Sequence, residues 1–316
     1  MEDYPRNQME FDRRFATEEA CRQYLFKLRW PQGFVCPRCD KVRYWKTKRL
    51  LIMCSDCGYQ SSLTAGTIFE GTRKPLRMWF HAIWSVTTAK PGASAATVKR
   101  VLGLGSYQTA WTWLHKIRRA MVRPRRERLT GSVEIDETFL GAPEPGRHGR
   151  RMINKTMVLV AAEIRGEATG RIRMRRVENG SATLLHSFVV DSIEPASVLC
   201  TDDWQGYAGL EKKGYQRQIK QVAHSGHTAS ELMPRVHRAV SLLKRWLMGT
   251  HHGAVSHDHM DYYLDEFVFR FNRRSSESRG KLFYRLLENA VLVPAIPYRS
   301  MVLSLRGRPK SRKHNI

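Results

Sequence analysis

Four cysteines and a short series of acids are the residues whose types and spacing in this chain suit chemistry. Cys36-Pro-Arg-Cys39 and Cys54-Ser-Asp-Cys57 are two CxxC pairs with 14 residues between Cys39 and Cys54. Each pair turns two sulfurs towards one point. Four thiolates at about 2.3 Å complete a tetrahedral Zn²⁺ shell, so the spacing predicts a closed structural zinc site rather than a catalytic one. Redox chemistry would need only one such pair, and two unrelated thiol pairs would leave the spacing unexplained. The acids read differently. Asp136 lies inside Gly131-Ser-Val-Glu-Ile-Asp-Glu-Thr-Phe-Leu140, an apolar, β-branched run in which an ionised carboxylate is costly unless it is paired or holds a cation. Asp202 follows the apolar Ser197-Val-Leu-Cys-Thr201, at the kind of strand end where open α/β sheets collect ligands. His237 comes 35 residues after Asp202, and Lys244 seven residues later, two helical turns on and therefore on the same helix face. A cation placed there suits a DNA phosphate. Three plainer readings compete: a strand with Glu134 and Glu137 on its wet face, Asp203 as a helix cap, and a His237 that only caps or packs.

The elements that must position these side chains follow from hydrophobic period and turn residues. Residues 1–30 read as a helical lead-in and 31–66 as the zinc ribbon, with Val42-Arg-Tyr-Trp45 and Leu50-Leu-Ile-Met53 as its two strands. Residues 67–128 contain a helix around Trp79, Phe80, Ile83 and Trp84. They then give Ala93–Leu102, a Gly103-Leu-Gly turn and Tyr107–Met121, a helix-turn-helix pattern that runs into a basic, Pro-interrupted linker. Lys116, Arg118 and Arg119 are the DNA contacts this pattern predicts, with Arg245 joining them from the later helix. An ordinary helical hairpin is the alternative.

From residue 129 the period changes. Val133–Leu140, Thr156–Ile164 and Arg171–Val177 read as strands, Ala182–Val190 as a helix and Ser197–Thr201 as a buried strand. Trp204–Lys213 then reads as a helix, Gln216–Ala223 as a fifth strand and Pro234–Gly249 as the last helix. That order is the RNase H-like α/β fold, assigned here to residues 129–274. The Leu264–Arg274 stretch, dense in aromatics and arginines, either packs on this domain and touches phosphate or is a core helix with a solvated basic end. Residues 275–316 form a C-terminal extension and basic tail, whose Arg306-Gly-Arg-Pro309 resembles a minor-groove hook. The loop Ala142–Arg151 is long and basic enough to flank a nucleic-acid groove.

The composition fits. Lysine and arginine outnumber acids 54 to 29, a formal charge of +25 spread along the chain, which suits a polyanion partner with extended contacts. An apolar fraction of 42% with eight tryptophans argues for folded domains. No apolar run approaches the roughly 20 residues of a spanning helix, and Met1-Glu-Asp-Tyr-Pro5 has no signal-peptide pattern. Cysteines used as metal pairs, not as a disulfide framework, point to a reducing cytoplasm.

The order Asp136, Asp202, then a ligand with a lysine seven residues on resembles the DDE-type transposases of bacterial insertion sequences. The resemblance is strongest to the group with an N-terminal zinc ribbon and an integrase-like catalytic domain. Cys36–Cys57, Trp79–Trp84, Val133-Glu-Ile-Asp-Glu-Thr138, Thr201-Asp-Asp-Trp-Gln-Gly-Tyr207, Ser241-Leu-Leu-Lys-Arg245 and Tyr263–Arg274 carry it across nearly the whole chain. It implies cutting and joining of the element's own double-stranded DNA ends and target DNA, with Asp136, Asp202, His237 and Lys244 as the working residues. Such enzymes usually act as homo-oligomers on paired ends. A pair of Mg²⁺ or Mn²⁺ ions would be bridged by Asp136 and held by Asp202 and His237, neutralising the attacking and leaving oxygens. Water would cut first, and the freed 3′-hydroxyl would then attack target DNA. The chain departs from the pattern at His237, where Glu or Asn is more usual; imidazole still ligates divalent metals and tilts the preference towards Mn²⁺. A catalytically decayed DNA-binding protein and a structure-specific RNase H-like nuclease remain the alternative readings.

Overall fold

The computed structural model describes residues 2–123, 126–141, 155–221, 225–253 and 255–303. The loop expected at Ala142–Arg151, the end of the fifth predicted strand at Val222–Ala223 and the Arg306–Pro309 hook lie outside them. The chain divides into two units, Met1–Pro124 with Ser276–Ile316, and Arg125–Ser275.

The first unit opens with α1 (Gln8–Arg14) and α2 (Glu18–Arg29), capped by the side chains of Asn7 and Thr17. A three-stranded antiparallel ribbon follows, β1 (Tyr44–Lys46), β2 (Ile52–Cys54) and β3 (Gln60–Ser61) in that order, one strand more than the alternation suggested. Then come α3 (Leu76–Thr88), α4 (Ala95–Val101) and α5 (Tyr107–Ala120). Pro75 gives α3 no side-chain cap, and the carboxylate of Glu18 accepts from the Leu76 and Arg77 N–H groups instead, at 2.8 and 3.0 Å. The helix-start donors are thus met from another element.

The second unit is one five-stranded sheet covered on both faces. Its strands are β4 (Ser132–Leu140), β5 (Thr156–Arg165), β6 (Ala168–Val177), β7 (Val198–Thr201) and β8 (Gln216–Ile219), in the spatial order β6-β5-β4-β7-β8. The first three are antiparallel neighbours; β7 runs parallel to β4, and β8 parallel to β7. Helix α6 (Ala182–Ser192) lies between β6 and β7 in sequence, and α7 (Ala229–Leu232), α8 (Pro234–His251) and α9 (Met260–Phe271) follow β8. This is the RNase H-like arrangement. One face packs Val133, Ile135, Leu159 and Leu199 against Leu185, Phe188 and Val189 of α6. The other packs Val158, Val160, Ile172 and Met174 against Val236, Ala239 and Leu243 of α8 and Leu264, Phe267 and Phe271 of α9. The two-residue pleat of β4 therefore turns Val133 and Ile135 to α6, and Glu134 and Asp136 to α8.

Trp204–Lys213, expected as a helix, instead forms two single 3₁₀ turns, Gln205–Tyr207 and Glu211–Lys213. The backbone leaves the helical region at Ala208 (ψ 141°) and turns left-handed at Gly209 (φ 87°), which ends the first turn. The aromatic segment at Leu264–Arg274 takes the core alternative, with Leu264, Phe267 and Phe271 buried, Arg270 and Arg273 partly buried and Arg274 exposed at its end. Arg270 pairs with buried Glu266 at 2.8 Å, and Arg273 and Arg274 lie 4.2 Å from the rings of Phe269 and Phe271.

The chain then returns to the first unit with α10 (Arg279–Ala290) and α11 (Tyr298–Leu303). Phe283 of α10 is fully buried among Phe11, Phe15, Phe80 and Trp84, with ring centroids 5.4 to 5.7 Å away. Residues 276–303 complete the N-terminal core.

Candidate active site and zinc ribbon

The ribbon brings its four cysteines together. Cys36 Sγ is 3.7 Å from Cys57 Sγ, Cys39 Sγ is 3.6 Å from Cys54 Sγ, and all four sulfurs lie within 4.8 Å of one another. Thiolates at about 2.3 Å around a tetrahedral Zn²⁺ sit about 3.8 Å apart, so the residues fit the ion. Phe26, Trp30, Phe34 and Ile52 wall the cluster, leaving a closed site for structure rather than chemistry.

The acidic site is assembled by sheet register. Ser132, Val133 and Glu134 of β4 pair with Val198, Leu199 and Cys200 of β7. The pairing ends there, and each chain segment carries an acid two residues further on: Asp136 within β4, and Asp202 just beyond the end of β7. Asp136 Oδ1 accepts from the Glu137 N–H at 2.8 Å, and Asp202 Oδ1 from the Trp204 N–H at 3.1 Å. Helix α8 supplies the third group: His237 Nε2 lies 3.6 Å from Asp136 Oδ2. That is too long for a hydrogen bond. Yet Nε2 is buried and makes no hydrogen bond among the described residues, an orphan facing a carboxylate. The three donors are not as tightly gathered as the sulfurs. Among the described residues, only the four cysteines form a group of three or more potential ligands within 4.8 Å of one another. Lys244 and Arg245 are exposed two turns further along α8.

Several supporting residues carried no signal in the sequence. Arg217 of β8 donates to Thr201 Oγ1 and to the carbonyls of Asp202 and Trp204, fixing the turn that presents Asp202. The Tyr207 hydroxyl reaches Glu137 Oε2 at 3.3 Å. Glu134, read as a residue for a wet strand face, is only 2% exposed. Burial pushes its carboxyl above the usual range, while the Val236 and Arg235 N–H groups and the nearby Arg235 and His237 charges draw it back.

The expected DNA contacts on α5 need correction. Arg118 is 2% exposed, because it lies four residues after Leu114 on the buried stripe and cannot present itself to a phosphate. Arg119 reaches the Pro294 carbonyl at 3.1 Å, and Lys116 is half-buried, with desolvation lowering its pKa. The exposed surface of the α4–α5 pair lies at the other end of α5, at Lys99, Arg100, Tyr107 and Gln108.

A four-cysteine ribbon ahead of an RNase H-like sheet is a plan shared by DNA transposases. Family models make the assignment: residues 128–272 match the ISXO2-like transposase domain and residues 16–60 the transposase zinc-ribbon domain, together well over half of the chain. The chain belongs to the insertion-sequence transposases that combine these two domains, and its function is DNA transposition. A relative from Halobacterium salinarum, described as an uncharacterized protein in transposable element ISH50, is 25% identical over 277 residues, covering 81% of this chain and 91% of its own. Among solved structures, the Mos1 strand transfer complex aligns over 74% of this chain and 80% of that one, at 11% identity and a TM-score of 0.29. A Mos1 transposase paired-end complex aligns over 70% and 82%, at 12% identity and a TM-score of 0.27. Scores this low carry no argument, and the fold rests on the strand order itself. No helix among the described residues is long and apolar enough to cross a membrane.

Proposed function

We propose that this transposase cuts its element's DNA ends and joins them to target DNA by metal-dependent phosphoryl transfer at Asp136, Asp202 and His237. The supporting observation is the orphaned, buried Nε2 of His237 held 3.6 Å from Asp136, with Asp202 just past the end of the strand that pairs with β4. Two carboxylates and one imidazole are a donor set for Mg²⁺ or Mn²⁺, with the imidazole favouring Mn²⁺. Bound there, such ions stabilise the charge that builds on the attacking and leaving oxygens of the phosphodiester.

In this reading Asp136, Asp202 and His237 would hold the metal, with the His237 imidazole beside the Asp136 carboxylate. Lys244, two turns along α8 and about 10 Å from His237 by helical rise, holds a flanking phosphate, and exposed Arg245 adds a second backbone contact. The α4–α5 pair engages duplex DNA through Lys99, Arg100, Tyr107 and Gln108, at the end of α5 where recognition helices meet base edges. Paired ends imply at least two copies of the chain at work together.

The test uses the full chain, Mn²⁺ and the inverted repeats that flank its gene. The wild-type protein gives end cleavage and strand transfer. Asp136→Asn retains DNA binding and loses both reactions by about 10³-fold, the scale seen when one electrostatic contact to a transition state is removed. Undiminished activity in that variant ends the assignment.

A further inference from the structure

We infer that Glu134 is the positioning residue for His237, a carboxylate on the strand that fixes where the helix begins. The inference rests on the reading of His237 as a metal ligand. Two residues before Asp136, Glu134 projects from the same face of β4 and is almost fully buried. A carboxylate that deep must be met by donors. Its Oε2 accepts from the backbone N–H of Arg235 at 2.7 Å and of Val236 at 2.9 Å, and Arg235 Nη1 lies 3.7 Å from Oε1.

Those N–H groups belong to the first turn of α8, where a helix has donors and no internal acceptors. The chain offers no local solution there. Met233 makes no side-chain cap, and Pro234 has no N–H to give. The cap therefore comes from a strand about a hundred residues earlier, and the negative charge also complements the helix dipole.

His237 is the next residue along α8. The clamp couples two registers: Glu134 to Arg235 and Val236, and Asp136, one pleat on, to His237 one residue on. A helix held at two consecutive N–H groups can neither slide nor rotate about its axis. Slippage by one residue would move His237 by about 1.5 Å and turn it by about 100°, away from Asp136. Glu18 caps α3 in the same manner, far in sequence from any proposed ligand, and so provides an internal control.

The experiment measures the Mn²⁺ concentration for half-maximal end cleavage, and the Mn²⁺ dissociation constant by electron paramagnetic resonance, on the full chain. Glu134→Ala raises both by about 10- to 100-fold, the usual cost of losing a group that orients a ligand. Glu134→Gln, which keeps an acceptor oxygen, restores most of the loss. Should the alanine variant not fold, Glu134→Asp, which draws the carboxylate back by one methylene, gives the intermediate shift. Glu18→Ala lowers thermal stability and leaves Mn²⁺ binding unchanged. Because Glu134 acts through His237, the Glu134→Ala/His237→Ala double variant binds Mn²⁺ no worse than His237→Ala alone.

Wild-type Mn²⁺ binding in Glu134→Ala, or additive losses in the double variant, overturns the inference. So does a loss in Glu134→Gln as deep as in Asp136→Asn, which makes Glu134 a ligand itself. If His237→Ala binds Mn²⁺ normally, the ligand reading beneath it has failed instead.

Discussion

The cysteine cluster gathers four donors and the proposed acidic site would gather three, but the chain constructs the two in opposite ways. The four sulfurs come from two tight turns within 22 residues, lie within 4.8 Å of one another and are walled by aromatics. Asp136, Asp202 and His237 come from a strand, a strand end and a helix across about a hundred residues, and they stay looser and partly open. A site made by local turns needs its metal to hold its shape. A site made by sheet register already has its shape, and keeps room for substrate.

The sharpest way to break this contrast is to strip the zinc. Structural Zn²⁺ contributes on the order of 10 kcal/mol to small ribbons, so chelation or Cys54→Ser should unfold the ribbon while the melting transition of the sheet unit stays in place, as followed by circular dichroism and hydrogen exchange. Loss of both transitions together would mean the two sites are not independent. Next in size is Asp202→Asn. It should lower end cleavage by about 10³-fold, yet leave thermal stability equal or higher, because one of two neighbouring like charges is gone. A marked fall in melting temperature would make Asp202 structural and erase the distinction.

A third acid separates function from scaffold. Glu163 on β5 is buried and bound by the Arg171 guanidinium and by the N–H groups of Arg171 and Thr130. Burial alone would raise its pKa, but these partners together hold it below the ordinary carboxylate value. A depressed folded-state pKa contributes stability that is present above the unfolded value, about 4.3, and lost as the pH falls through the folded one. Glu163→Gln should therefore cost about 1–3 kcal/mol near neutral pH, less in acid, with Mn²⁺ dependence unaltered. The smallest effect is expected of Lys244→Ala: weaker DNA binding, with the slope of log affinity against log salt reduced by about one, and zinc content untouched.

How far the sequence could be read follows the same division. The zinc site was legible because its ligands are neighbours in the chain. The order of strands and helices from residue 129 was legible because hydrophobic period is a local pattern, with Trp204–Lys213 the exception. What could not be read depends on contacts formed at a distance. Glu134 looks like a solvent-facing strand acid until the N–H groups of Arg235 and Val236, a hundred residues later, arrive to bind it. Arg118 looks like a DNA contact until its place on the buried stripe of α5 is known. Trp204–Lys213 has the length and period of a helix, and the extended Ala208 and left-handed Gly209 break it into two short turns. Basic residues mislead most, since charge suggests solvent while Arg118 is buried and Arg270 is tied to buried Glu266.

The placement of Phe283 on α10, within the aromatic core of the first unit, has a consequence for biosynthesis. The ribosome must translate about 150 residues of the sheet unit before that ring emerges, a wait of roughly 10–30 s at ordinary elongation rates. Until then Phe11, Phe15, Phe80 and Trp84 lack their central partner, while the sheet unit can already close. A message that stops before Ser276 would therefore release a polypeptide with its acidic residues in register and its N-terminal core exposed, a target for proteolysis before it ever meets DNA.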